Sequence, residues 1–185
     1  MIPDTNYPEK AASMADLIDR IRLAPDRLAA ALEGLTADDV EAHPIPGKWS
    51  IRECAEHIAG VSIGWSDMFF EAIEDFYTTP RTNDVKWRVP QEIELKESID
   101  SAVSVYRHHC NNLADLLATL PAEDFTRKFK PVSWLTEPFQ INESINWGVV
   151  IHCDYHLVTL HRLRTALGKP LDWMAVYTER YQVGK

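Results

Sequence analysis

Helical hydrophobic periodicity is the feature that most constrains this chain. Apolar residues recur at helix spacing in four long stretches, and no alternating strand pattern of any length competes. The first spans about residues 13–35, opening on Ser13-x-x-Asp16 and carrying Leu17, Ile18, Ile21, Ala24, Leu28, Ala31, Leu32 and Leu35. Pro25 has no N–H for the helix ladder, so a kink or break is expected after Ala24. The second, 50–77, begins with a full capping box, Ser50-x-x-Glu53. Its stripe runs through Ile51, Ala55, Ile58, Ser62, Trp65, Phe69, Ala72, Ile73 and Phe76. The third, 91–120, has its stripe at Ile99, Val103, Tyr106, Cys110, Leu113 and Leu117. The fourth, 142–167, starts at Asn142 and stops at Gly168, with Pro170 beyond. Its stripe is Ile145, Val149, His152, His156, Leu160, Leu163 and Leu167.

The connections carry an internal echo. Leu35-Thr36-Ala37-Asp38-Asp39-Val40 follows the first stretch as Leu120-Pro121-Ala122-Glu123-Asp124-Phe125 follows the third, and each leads through proline into a histidine-bearing helix. Arg81 to Pro90, with Trp87, reads as a loop, and Leu171 to Lys185 as one more short helix. The expectation is one all-α domain over residues 1–185, a four-helix bundle with long crossover connections.

Composition narrows the function classes. Nineteen Lys and Arg against 28 Asp and Glu give a net charge of -9, which repels a phosphate backbone, and no basic patch offsets it. No apolar run approaches the ~20 residues of a membrane span, and Met1 to Lys10 lacks a signal-peptide core. Three well-separated cysteines, Cys54, Cys110 and Cys153, read as reduced thiols of a cytoplasmic protein.

Of the seven histidines, His152 and His156 stand apart. Spaced i, i+4, they share a helix face with Ile145, Val149, Leu160 and Leu163. A lone buried histidine is usually satisfied by one hydrogen bond, whereas a pair on a buried stripe also suits a metal, for which H-x-x-x-H is a known spacing. The intervening Cys153, Asp154 and Tyr155 lack the glutamate of zincins, so that mechanism does not transfer. His57 flanks the stripe of the second helix, with Gly60 and Gly64 on the same side. It is either a half-exposed surface residue or a third ligand reaching into a cleft. Three neutral imidazoles leave a position open for water, as catalytic sites do.

Gly47-Lys48-Trp49-Ser50-Ile51-Arg52-Glu53-Cys54-Ala55-Glu56-His57-Ile58 resembles the G-K-W-S-x-x-E-x-x-x-H-[IL] segment of the DinB/YfiT-like superfamily, and His152 to His156 resembles its last-helix H-x-x-x-H. The resemblance runs from about Ala15 to Leu171. It implies a four-helix bundle, usually dimeric, with a Zn²⁺ or Ni²⁺ site whose ligands here are His57, His152 and His156. It also implies a metal-dependent hydrolase or a transferase of low-molecular-weight thiols. No catalytic base and no organic cofactor site is assigned.

Neighbouring residues have their own expectations. Glu53 is engaged in the capping box, Trp49 is a hydrophobic plug, and Cys54 is a buried small hydrophobe rather than a thiolate ligand. Asp154 points away from the histidine line into solvent, and Tyr155 and Thr159 flank the pair. His161 and His108 lie on the surface, and His109 is a spare ligand. Arg52, Lys86, Arg88 and Lys130 are the cations whose placement bears on an anionic thiol. The competing reading is a non-catalytic metal-binding bundle or a stress-related interaction protein, which a fourth ligand from Cys54 or His109 would favour.

Overall fold

The structure, a computed structural model, describes residues 11–77, 99–130 and 138–172. The helices are α1 (Met14–Leu32), the short α2 (Ala37–Glu41), α3 (Ile51–Tyr77), α4 (Ile99–Ala118) and α5 (His152–Ala166). A 3-10 turn (Ala122–Thr126), the two-residue strands β1 (Lys128–Phe129) and β2 (Phe139–Gln140), and a π-helix (Ile141–Ile151) lie between α4 and α5. The strands pair antiparallel, Lys128 opposite Gln140 and Phe129 opposite Phe139.

Around the bundle the order is α1, α4, α3, α5, each packed on its two neighbours. The crossovers α1 to α3 and α4 to α5 therefore run between helices on opposite corners. A diagonal crossover needs chain length, and the two echoed segments supply it as α2 and the 3-10 turn. The core holds Leu17, Ile21 and Leu28 of α1, Ile58, Phe69 and Ile73 of α3, Tyr106, Leu113 and Leu117 of α4, and Leu157 and Leu160 of α5.

The caps at Ser13, Thr36 and Gly168 follow the sequence, whereas Asn142, expected to cap the fourth helix, lies inside the π-helix and caps nothing. Ser13 Oγ accepts from the Asp16 N–H at 3.2 Å, and Thr36 and Asp39 close a box at α2. Arg164 Nη1 of α5 donates to the carbonyls of Ala31 and Glu33, 2.9 Å each, satisfying the exposed end of α1.

Two expectations are corrected. Pro25 does not break α1 after Ala24: the helix continues to Leu32, with Pro25 buried inside it. Burial of Ala24, Leu28 and Ala31 on either side outweighs the missing bond to the Ile21 carbonyl. The fourth stretch is not one α-helix, since Ile141–Ile151 is π-helical. Expected features at 78–98, 131–137 and 173–185 lie outside the described residues, including Trp87, the start of the third helix and the terminal helix.

Candidate metal centre

The α3 capping box positions the first histidine. Ser50 N–H donates to Glu53 Oε2 at 2.8 Å and Glu53 N–H to Ser50 Oγ at 3.1 Å, so the helix starts cleanly and His57 falls at its second turn. On the facing element, the His152 N–H bonds the Trp147 carbonyl five residues back, the last bond of the π-helix. The change from π to α winding therefore occurs at the first histidine of the pair. Wide helical turns of this kind recur at functional sites.

Two contacts hold that junction against the bundle. Tyr106 Oη donates to the Val149 carbonyl at 3.3 Å, from inside α4. Gly148 presents bare backbone to Trp65 of α3, where a Cβ would lie 2.6 Å from Trp65 Cδ2. Only glycine permits that approach without displacing the indole.

The result is a convergence of His57, His152 and His156. Ring centroids are 5.2 Å apart for His57 and His152, 4.6 Å for His57 and His156, and 4.5 Å for His152 and His156. One ligand nitrogen from each lies within 4.8 Å of the others. Among the described residues, no cysteine or carboxylate joins the cluster.

All three rings are half-buried, and burial pulls each imidazole below its ordinary pKa. His152 falls to about 4, from burial first and then from the neighbouring His156 and His57. Neutral imidazoles with free lone pairs are what a divalent cation requires. Nδ1 of His152 and of His156 is buried without a hydrogen-bond partner, a costly state for two polar atoms. The donor set and these orphaned nitrogens fit a cation better than they fit an apolar core.

The other candidates divide. Cys54 is buried with Sγ 3.8 Å from the His156 carbonyl, and burial pushes its thiol up to about 12, so it is a packed thiol outside the cluster. Glu53 serves the cap. His108 is exposed beside Asn112, and His109 is buried on α4 outside the cluster. Arg52 is held by Glu41 and Glu56, Lys130 is exposed, and Lys86 and Arg88 lie outside the described residues. Gly64 is exposed, with open space where a Cβ would stand. Thr159 is half-buried.

Four readings change. Trp49 is no plug: it is 38% exposed, its ring 4.7 Å from His57 and 5.6 Å from His156, so it walls the site. His161 is half-buried rather than on the surface. The histidine pair sits at the edge of the buried stripe, whose centre is Cys153, Leu157 and Leu160. Asp154 is not solvated. It is buried against Arg27 of α1 in an ion pair, and burial raises its carboxyl pKa although Arg27 opposes the shift. A signal for that pair exists in α1, where Arg27 falls on the stripe between Ala24 and Ala31 and so requires a buried partner.

A family profile described as the DinB superfamily matches residues 20–160. Among solved structures, one described as "YfiT from Bacillus subtilis is a probable metal-dependent hydrolase with an unusual four-helix bundle topology" is similar. It has a TM-score of 0.62 and 17% identity over 84% of this chain and 87% of that one. This likeness establishes the four-helix fold. No curated protein matches the chain.

Proposed function

Because this chain belongs to the DinB superfamily, we propose that it is a metal-dependent enzyme whose ion is held by His57, His152 and His156. The observation that carries the reading is the meeting of three imidazoles from two helices, without a fourth ligand among the described residues. When bound, a divalent cation supplies Lewis-acid activation of a water or thiol nucleophile. Hydrolysis and transfer of a low-molecular-weight thiol differ in which nucleophile is used, and the similar solved structure's description favours hydrolysis. Zn²⁺ and Ni²⁺ both suit imidazole donors.

The chain's own groups have separable tasks. His57, His152 and His156 stay neutral at pH 7 and offer lone pairs. Trp49 covers His57 and His156 on one side and limits water there. Glu53 holds the helix start through its carboxylate. A small-molecule substrate and a homodimer belong to the same reading. Three cysteines without a disulfide agree with a reducing compartment such as the cytoplasm. Among the described residues, no helix is long and apolar enough to cross a membrane. The non-catalytic alternative calls for a fourth protein ligand, and neither Cys54 nor His109 joins the cluster.

The test is elemental analysis of purified protein with His57→Ala, His152→Ala and His156→Ala, alongside a screen of esters, amides and thiol-plus-electrophile pairs. About one equivalent of metal, lost in each variant together with a turnover signal, is the expected result. Absence of any activity removed by His57→Ala would refute enzymatic function.

A further inference from the structure

Three large hydrophobic side chains are exposed among the described residues: Trp49 at 38%, Trp147 at 53% and Tyr155 at 69%. All three border the histidine cluster. Trp49 lies 4.7 Å from His57, Trp147 lies 6.3 Å from His152, and Tyr155 meets His156 edge-on at 5.1 Å. Scattered surface aromatics need no explanation, but a set gathered on one polar cluster marks a ligand site. Each ring comes from a different element: Trp49 precedes α3, Trp147 sits in the π-helix and Tyr155 is in α5. Each is therefore both open to solvent and in reach of a histidine ring. Trp147 is itself held in place, edge-on to Trp65 at 5.9 Å, and Trp65 stacks on Phe69. Of the two cations on the His57 segment, Arg52 is committed to Glu41 and Glu56 and Lys48 is exposed beside Trp49, while the rings set against the histidines are aromatic.

We propose that Trp49, Trp147 and Tyr155 form an aromatic collar that selects substrates whose non-reacting part is a flat apolar group. The collar rests on the metal-enzyme reading and names the substrate class of that same site. Ring faces and edges grip a planar aromatic partner through offset and edge-on contacts, which a saturated hydrocarbon ring does not reproduce. The reacting atom is then presented to the histidines while the flat portion remains between the rings.

The test is a titration of the full chain, metal-free and zinc-loaded, with 2-naphthalenemethanol and with cyclohexanemethanol. Binding is followed by the indole N–H resonances, assigned with Trp49→Phe and Trp147→Phe. The naphthyl compound should move the Trp49 and Trp147 resonances. The Trp147→Ala/Tyr155→Ala double variant should weaken it by about tenfold, the scale of two lost ring contacts, at unchanged zinc content. Cyclohexanemethanol should bind less tightly. Equal binding by wild type and double variant, or no preference for the planar ring, overturns the collar. Sedimentation showing that Trp147→Ala turns a dimer into a monomer also overturns it, because the rings would then face a second copy. The titration needs no turnover: selective binding without any activity would sink the enzyme reading alone, and activity indifferent to the collar would sink the collar alone.

Discussion

Arg27 of α1 and Asp154 of α5 form an ion pair whose side chains are 5% and 6% exposed. Asp154 stands between His152 and His156 in sequence yet points to the opposite side of the helix. Its attachment to α1 therefore sets the rotation of α5 that turns the two imidazoles toward α3.

Removing one partner of this pair leaves a buried charge. Asp154→Ala is expected to cost about 3–5 kcal/mol, whereas Arg27→Met/Asp154→Leu should recover most of that loss. Denaturant midpoints for the two single variants and the double variant check the coupling. Independent, additive losses would contradict it.

The histidines make the metal-free protein sensitive to acid. Their folded pKa values lie below 6.5, with His152 at about 4, so protons bind the unfolded chain first. The His152 contribution is fully present above about pH 6.5 and is lost as pH falls through about 4. Stability measured across that window should decline, and His152→Gln should flatten the slope. NMR titration of the His152 ring is the direct check.

Gly148→Ala inserts a methyl where Trp65 already stands, 2.6 Å from Cδ2. The indole must move, and overpacking of this kind costs about 1–3 kcal/mol. Thermal unfolding should show the loss, near-ultraviolet circular dichroism should show the displaced tryptophan, and Trp65→Leu in the same chain should relieve part of it.

Ser50→Ala deletes one half of the α3 capping box and should destabilise by about 1 kcal/mol. Glu53→Gln keeps a side chain able to accept the Ser50 N–H, so stability and metal content should hardly change. Loss of turnover in well-folded, metal-loaded Glu53→Gln would instead make Glu53 a proton-transfer group.

Much of the fold was legible because its signals are local. Ser13, Thr36 and Ser50 each bond backbone three residues away, and the stripes of α3 and α4 follow a simple helical period. The ligand candidates were legible as well, His152 and His156 from their spacing and His57 from the segment around it. The π-helix was not. Its winding depends on Tyr106 taking the Val149 carbonyl and on Gly148 lying against Trp65, contacts that reach across the bundle. The histidine stripe misled for a related reason: a regular 3.6-residue period carried through residues 141–151 puts the imidazoles at the centre of the buried face instead of its edge.

The sequence by itself determined four helical segments, the capped starts of α1 and α3, and three imidazoles of the right kind. Tertiary structure decided that Trp49 covers two of them and that Asp154 turns inward to an arginine 127 positions away. Periodicity and caps act over one turn of chain, so they can be read in order. Pairing of a buried charge, or the choice between π and α winding, is settled by whichever distant group happens to be packed against it.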